Sequence, residues 1–220
     1  MPSDLTPSAV AAALIGIAVA YLSGALPWGL WLGRWFKRVD VRTLGSGNLG
    51  ATNVYRSLGP QLGIATLLLD MAKGALPIWL LPRLPLMSRF PGGAEWCAIV
   101  VGLAAICGHV WTLFARFKGG KGVATTVGVL LALSPAAFGT FVAVFLTTVA
   151  VTRFISLGSI LGSLAFATTL AFTTPRGPSS PTFGFGVLVA LLVIARHRDN
   201  IRRLWRGEER RFSLRSGGAA

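Results

Sequence analysis

Long apolar segments separated by short polar ones run through most of the chain. A helix needs about 20 apolar residues to cross a hydrocarbon core about 30 Å thick. Backbone polar groups in lipid must be paired internally, so helices are the default structure there. The pattern therefore predicts an all-α integral membrane protein. The apolar segments lie at residues 8–33, 60–81, 94–114, 121–134, 136–152, 155–174 and 182–196.

The dipeptide Ser134-Pro135 is either a tight outer turn or a kink in one long helix over 121–152. Seven helices place 17 of the 21 Lys and Arg residues on one side of the membrane. Six helices would move the basic C-terminal tail to the opposite side from the other basic loops. Because Lys and Arg collect on cytoplasmic loops, we predict seven transmembrane helices, with the N-terminus outside and the C-terminus cytoplasmic.

Composition agrees with a membrane protein, since 53% of the residues are hydrophobic and only 13% are charged. An ordinary soluble domain carries about 25% charged residues. The net charge of +14 would suggest nucleic-acid binding in a soluble protein, but here the basic residues flank the apolar segments. We therefore expect no nucleic-acid partner, one membrane domain over 1–212, and a disordered tail over 213–220.

Two of the inner loops are rich in glycine, hydroxyl or amide side chains, and basic residues. Glycine lets backbone N–H groups approach an anion closely, and successive N–H groups form a concave nest for it. A helix that starts just after such a loop adds the positive end of its dipole. The two loops, 45–56 and 117–126, therefore predict phosphate binding.

Two nucleotide-binding signatures are matched only in part. Residues 45–50 match the G-x-G-x-x-G pattern of the dinucleotide-binding fingerprint, and Asp70 stands about where its acidic residue is expected. That fingerprint, however, requires a strand–turn–helix unit, and here it lies between membrane helices. Residues 115–122 resemble a P-loop superficially, since Gly122 stands where Ser or Thr would bind magnesium. No His, Cys, Asp and Glu cluster has the spacing of a metal site. We expect no cofactor and no metal.

The basic and amide side chains of the loops admit two interpretations. Lys118 and Lys121 are either cytoplasmic anchors or phosphate ligands, and their position among three glycines favours ligands. Arg56 follows Asn53 by three residues, so the two share a face of a helix. Anchor and ligand remain open for Arg56. At the inner end of the sixth segment, a hydrogen bond from Ser156 to its own helix is slightly favoured over a binding role.

Polar residues also occur within or after other segments. Asp70 and Lys73 interrupt the second segment, and because ionisable groups in a membrane are usually paired or functional, we predict a buried salt bridge. His109 is expected to be a satisfied buried histidine. The run 196–209 is typical of a basic interfacial helix, and its His197 and Asn200 are spaced to hydrogen-bond a polyol together.

The loops and the basic run resemble the bacterial membrane acyl-phosphate:glycerol-3-phosphate acyltransferases, the PlsY type. The match covers nearly the whole chain in order, and the motifs are long. The departures at Trp111, Thr112 and Arg210 remove no phosphate-binding side chain. The matching segments are 45–53 with Arg56, 108–109, 117–125, 153–159 and 197–204 with Gly207 and Glu209.

The resemblance implies a seven-helix enzyme of the bacterial inner membrane with its active site on the cytoplasmic face. It implies acyl transfer from acyl phosphate to the 1-hydroxyl of glycerol 3-phosphate, the first acylation in phospholipid biosynthesis. The products are lysophosphatidate and inorganic phosphate. The partners are then acyl phosphate, glycerol 3-phosphate and membrane lipid, without nucleic acid, metal or a covalent enzyme intermediate.

The resemblance also implies which residues form the site. Lys118 and Lys121 are expected on the acyl phosphate, Ser46 is expected to orient the reacting groups, and Arg56, His197 and Asn200 are expected around glycerol 3-phosphate. The implied catalytic residues are Ser46, Lys121, His197 and Asn200. The implied substrate-binding residues are Asn48, Thr52, Asn53, Arg56, Lys118, Gly119, Gly120, Ser156 and Glu209.

A membrane transporter of phosphate or of an organic phosphate is the main alternative. It would also need basic, glycine-lined clusters. Transporters often show internal repeats and broken helices that meet at the midplane of the membrane. Here the polar motifs all fall on one predicted face, which favours the enzyme.

Overall fold

The computed structural model of the chain describes residues 6–213, so most of the tail predicted to be disordered, 214–220, lies outside the described residues. Helices and short 3-10 turns make up the regular structure of the described part, which contains no strand. The all-α prediction is therefore confirmed. The α-helices are α1 (Pro7–Ala25), α2 (Trp28–Lys37), α3 (Ala51–Leu58), α4 (Pro60–Leu80), α5 (Gly93–Val110), α6 (Val123–Leu133), α7 (Pro135–Thr152), α8 (Ile155–Thr173), α9 (Pro181–Arg196) and α10 (Arg198–Trp205).

Three helices begin at a hydroxyl residue followed by proline. The side-chain oxygens of Thr6, Ser134 and Ser180 accept hydrogen bonds of 3.0–3.3 Å from backbone N–H groups three residues later. Such caps satisfy donors that the first helical turn leaves unpaired, and proline suits the first helical position because it has no N–H. Ser134 therefore caps a new helix, so residues 121–152 are not one continuous helix, and the choice between a turn and a kink at this point stays a prediction.

The described residues contain five helical segments that are long and apolar enough to cross a membrane. A sixth is reached if α9 and α10, which bend by 59° at their junction, are taken as one span. The helix α6 is apolar but has only 11 residues. The multi-pass character is confirmed, whereas the count of seven spans and the orientation of the termini stay predictions.

Two features of the polar segments differ from the simple pattern. The apolar run 8–33 is interrupted at Pro27, because the residue before a proline is disfavoured in helical geometry. Two amphipathic helices, α3 and α10, form within the polar segments.

The chain divides into two compact units, one ending at Leu133 and one beginning at Ser134. The prediction of a single domain is left untested by this division. In the first unit α1 packs on α5, and α4 packs on both α3 and α6.

Glycines allow the helices of the first unit to approach closely. A Cβ at Gly24 of α1 would meet the backbone carbonyl of Ala105, and a Cβ at Gly108 of α5 would meet that of Tyr21. The pair of α4 and α6 repeats the arrangement, with Gly74 against Thr125 and Gly128 against Met71. Small residues at helix crossings are typical of membrane proteins, where packing rather than the hydrophobic effect holds helices together.

In the second unit α8 packs on α7 and on α9. Phe166 of α8 is fully buried and lies with its ring centroid 6.3 Å from that of Phe141 on α7. Outward side chains are strongly apolar, as at Phe172, which is 85% exposed. Hydrocarbon rather than water is the solvent that suits such a surface.

Candidate active site

The side chain of Asn53 organises the first glycine-rich loop. Its Oδ1 accepts a hydrogen bond of 2.9 Å from the backbone nitrogen of Ser46, and its Nδ2 donates to the carbonyls of Val41, Leu44 and Asn48 at 2.9–3.2 Å. Asn53 is itself buried in the first turns of α3. One amide side chain therefore fixes the backbone of the whole loop.

Glycine is required where the loop passes Asn53. Gly45 has φ +59°, which other residues rarely adopt, and a Cβ there would crowd Asn53 Oδ1 and stand 2.9 Å from Ser57 Oγ. Asn48 forms a local turn in which its Oδ1 accepts from the nitrogen of Gly50 at 2.8 Å. The loop is thus shaped by side-chain hydrogen bonds rather than by regular secondary structure.

A small apolar core lies beneath this loop. Its buried residues come from α2, from the turn at Val41–Thr43, from the loop, from α3 and from the turn at Leu113–Ala115. They are Leu30, Val41, Leu49, Val54 and Ala115, in that order.

A cluster of charged side chains lies just before the loop. The carboxylate of Asp40 accepts hydrogen bonds from Arg34 at 3.0 Å and from Arg42 at 2.6 Å. The hydrogen bond from Arg42 holds the pKa of Asp40 well below its usual range.

The second glycine-rich loop is held on the end of α5. The backbone nitrogens of Gly119 and Gly120 donate to the carbonyls of Val110 and His109 at 3.2 and 3.1 Å. A Cβ at Gly119 would meet the same carbonyls, and a Cβ at Gly120 would meet the imidazole of His109. Glycine is therefore required here for close backbone approach.

Both loops border one small cleft in the first unit. Its lining includes Leu49 of the first loop and Gly120 of the second. Asp70, Lys73 and His109 line the same cleft. The predicted ion pair of Asp70 and Lys73 is present at 2.8 Å, with both side chains buried. The geometry confirms that salt bridge and adds His109 as its neighbour, with Nδ1 3.7 Å from Asp70 Oδ1.

The predicted site residues of the first unit differ in exposure. Ser46, Arg56 and Lys118 are exposed, whereas Asn48, Thr52 and Lys121 are half-buried. Asn53 and Arg56 lie on the same short helix, where Asn53 is buried and hydrogen-bonded to the loop and Arg56 is exposed. Substrate contacts of all these residues stay predictions, and the role that geometry gives to Asn53 is structural.

In the second unit, one carboxylate accepts hydrogen bonds from three side chains. Glu209 accepts from Ser156 Oγ at 2.7 Å, from Asn200 Nδ2 at 2.6 Å and from Arg203 Nε at 2.7 Å. Burial opposes ionisation of this carboxyl, but the hydrogen bonds from Asn200, Ser156 and Arg203 outweigh it and lower its pKa. Glu209 is therefore a carboxylate at neutral pH.

His197 lies at the corner between α9 and α10. Its Nδ1 is 2.8 Å from the carbonyl of Val193, and because a carbonyl only accepts, Nδ1 carries the hydrogen. In the neutral ring Nε2 is then an acceptor. His197 and Asn200 are both buried, so the corner holds two of the predicted site residues, and Asn200 joins Ser156 on Glu209.

Two neighbours of the predicted residues were missed from the sequence. Arg203, three residues after Asn200 on α10, binds Glu209, and its spacing to Asn200 is a signal that could have indicated it. His109 contacts the second loop through its ring and carbonyl, and no local sequence signal indicates this. Among residues 6–213 no three His, Cys, Asp or Glu side chains come together, and independence of metal stays a prediction.

Comparison with known proteins supports one family. The family described as glycerol-3-phosphate acyltransferase matches residues 14–207. A glycerol-3-phosphate acyltransferase of Geobacter sulfurreducens is 49% identical over 90% of this chain and 97% of its own. The corresponding protein of Trichlorobacter lovleyi is 48% identical over 91% of this chain and 98% of its own.

Two solved structures are similar as well. Both are crystal structures of PlsY, an integral membrane glycerol 3-phosphate acyltransferase, in forms with glycerol 3-phosphate and with lysophosphatidic acid. The first has a TM-score of 0.81 and 36% identity, covering 91% of this chain and 96% of its own. The second has a TM-score of 0.78 and 33% identity, covering 93% and 97%. The chain therefore belongs to the glycerol-3-phosphate acyltransferase family of integral membrane proteins.

Proposed function

We propose that this protein transfers an acyl group from acyl phosphate to the 1-hydroxyl of glycerol 3-phosphate. The products are lysophosphatidate and inorganic phosphate, and the reaction is the first acylation of phospholipid biosynthesis. Family membership supports the acceptor and the acyl transfer. The donor rests on the resemblance of the loop motifs and on the chemistry of the site.

The observation that carries the proposal is the meeting of two glycine-rich loops at one cleft of the first unit. Each loop is fixed by buried groups, Asn53 in one and His109 in the other. Lys118 and Lys121 belong to the second loop, and Ser46 and Arg56 belong to the first. Preformed backbone and basic side chains of this kind suit phosphate, because they need no reorganisation when the anion binds.

The chemistry requires no nucleophile from the protein. Acyl phosphate is already activated, so the 1-hydroxyl oxygen attacks the acyl carbonyl carbon while the bond from that carbon to the phosphate oxygen breaks. The hydroxyl proton passes to a phosphate oxygen of the donor or to His197. The protein contributes positioning and stabilises the developing negative charge, and we propose neither metal nor covalent intermediate.

Within the second unit, the corner between α9 and α10 suits a polyol. The tautomer of His197 gives it an acceptor at Nε2, and Asn200 is oriented by Glu209. A hydroxyl group can donate to such an acceptor and thereby be held for reaction. We assign His197 and Asn200 to glycerol 3-phosphate, with Glu209 and Ser156 supporting them.

The location follows from the charge pattern. Seven spans would put both loops and the basic tail on the side where Lys and Arg collect. We propose a multi-pass protein of the bacterial inner membrane with its site on the cytoplasmic face, where glycerol 3-phosphate is dissolved and the acyl donor arrives through lipid.

The test is product formation by the purified protein in lipid, given palmitoyl phosphate and glycerol 3-phosphate. We expect lysophosphatidate and inorganic phosphate in equal amounts, unaffected by a metal chelator. Proteoliposomes that take up glycerol 3-phosphate or phosphate but form no lysophosphatidate would replace the proposal with the transporter alternative.

A further inference from the structure

A buried cluster of three ionisable side chains lies beneath the second loop. Asp70 and Lys73 of α4 form their ion pair with 3% or less of either side chain exposed. The imidazole of His109 on α5 approaches the same carboxylate and is 6% exposed. Burying charged groups costs free energy that apolar residues would avoid. The reaction proposed above uses none of the three directly, so their presence needs another explanation.

On one side the cluster holds the end of α1. Lys73 Nζ donates a hydrogen bond of 2.7 Å to the carbonyl of Leu26, and Ser23 Oγ donates to the carbonyl of Lys73 at 3.1 Å. Carbonyls at a helix end lack partners within the helix. Lys73 therefore has a fixed position, set by the end of α1 and by Asp70 together.

On the other side the cluster reaches the loop. The carbonyl of His109 accepts from the nitrogen of Gly120, and its ring fills the space where a Cβ of residue 120 would stand, with Cε1 2.9 Å from that point. The ring therefore packs directly against Gly120, which lies between the two lysines of the loop. On the opposite edge of the ring, Nδ1 lies 3.7 Å from Asp70 Oδ1.

We propose that Asp70, Lys73 and His109 are positioning residues that hold residues 118–121 in their phosphate-binding shape. The proposal rests on the proposed function only in that this loop binds a phosphate-bearing substrate. Lys73 fixes Asp70, Asp70 orients the ring of His109, and the ring and carbonyl of His109 fix Gly120. Lys118 and Lys121 then present their charges from a backbone that does not move.

The first experiment measures loop structure independently of activity. Hydrogen exchange is followed in the full chain in lipid for peptides covering 117–122, in the wild type, His109→Ala and Asp70→Asn. We expect exchange in this peptide to rise about tenfold or more in both variants, while α8 stays unchanged. Thr66→Val is the matched control, since Thr66 is fully buried on the same helix and its hydroxyl bonds only within it, to Leu62.

The second experiment is a double-mutant cycle between ring and loop. Gly120→Ala is expected to raise the KM for palmitoyl phosphate and the inhibition constant of inorganic phosphate by about tenfold or more, because its Cβ displaces the loop. In a His109→Ala background the methyl group of Ala has room. Gly120→Ala should therefore raise the KM and the inhibition constant by a factor at least fivefold smaller than in the wild type. A role of His109 in overall stability alone would not make its effect depend on the side chain at residue 120.

The two experiments separate the possible failures. A wild type that makes no lysophosphatidate overturns the proposed function, while hydrogen exchange still decides the positioning role. Unchanged exchange at 117–122 in His109→Ala and Asp70→Asn would overturn that role. An equal cost of Gly120→Ala in both backgrounds would overturn it too. If His109→Ala does not fold, the shape-preserving Asp70→Asn decides by its exchange alone.

Discussion

The hydroxyl of Ser156, in the first turn of α8, donates a hydrogen bond of 2.7 Å to the carboxylate of Glu209, 53 residues later. Asn200 and Arg203 of α10 bind the same carboxylate. The segment after α10 is also joined to the start of α8 by the backbone, where the nitrogen of Phe212 donates to the carbonyl of Arg153. Glu209 therefore ties three parts of the second unit together.

Glu209→Gln should destabilise the second unit by about 1.5–3 kcal/mol, the range for hydrogen bonds to a charged group. The amide keeps the shape but presents a weaker acceptor to Ser156 and Asn200 and loses the charge opposite Arg203. Thermal unfolding at pH 7 measures the loss. Glu208→Gln, at the exposed neighbouring position, is the control and should leave unfolding unchanged.

The pH dependence of the same pair of proteins gives a second prediction. The pKa of Glu209 is lowered in the folded protein, so its contribution is fully present above the unfolded value of about 4.3. That contribution is lost as the pH falls through the folded pKa. The stability difference between wild type and Glu209→Gln should shrink below about pH 4. A difference that grows on acidification would show that the carboxylate is not the stabilised form.

Asn53 carries a prediction about the first loop. Asn53→Asp keeps the oxygen that accepts from the backbone nitrogen of Ser46 but replaces the Nδ2 donor with a second oxygen. That oxygen would then face three buried backbone carbonyls, and acceptors facing one another repel. We expect lysophosphatidate formation to fall about 10- to 100-fold, because misplaced site groups cost rate steeply. Gln61→Ala, at an exposed position in the first turn of α4, should leave the rate unchanged. Equal rates for Asn53→Asp and wild type would remove Asn53 from the loop's support.

The helix crossings predict the effect of single methyl groups. Gly24→Ala and Gly128→Ala would each press a Cβ into a backbone carbonyl, which cannot swing away as a side chain does. We expect each to cost about 1–3 kcal/mol or more. Gly139→Ala in α7 has nothing within 4 Å of its new Cβ and should be neutral or slightly stabilising. Thermal unfolding of the purified proteins in lipid compares the three.

Lys121 tests the predicted role of the second loop. Lys121→Ala should lower kcat/KM with palmitoyl phosphate about 100- to 1,000-fold, the range for removal of a group that stabilises transition-state charge. Lys37→Ala removes an exposed cation at the end of α2 and should leave kcat/KM unchanged. Full activity of Lys121→Ala, in protein that unfolds like the wild type, would exclude the lysine from the site.

The sequence predicted the helices well where their boundaries follow from local chemistry. Apolar runs define the spans, and the dipeptide Ser134-Pro135 indicated the break before α7. The loop lysines and the pair of Asp70 and Lys73 were found because charge in or beside an apolar run needs an explanation. Arg203 was not predicted, although its spacing to Asn200 on α10 is a signal that could have indicated it.

The tertiary roles were not predictable from local patterns. That Asn53 holds a loop rather than turning outward depends on where four backbone groups come together in space. The contact of His109 with Gly120 depends on the chain reversal between α5 and α6. These contacts join residues from separate parts of the chain that share no helical or strand periodicity. Arguments from amphipathicity or from residue spacing therefore cannot predict them.

The donor is the central claim, and it is tested by giving the purified protein palmitoyl phosphate and palmitoyl-CoA side by side, each with glycerol 3-phosphate. Lysophosphatidate is quantified in the presence of a metal chelator. The account predicts product from palmitoyl phosphate alone, with one inorganic phosphate released for each lysophosphatidate. Product from palmitoyl-CoA and none from palmitoyl phosphate would contradict it.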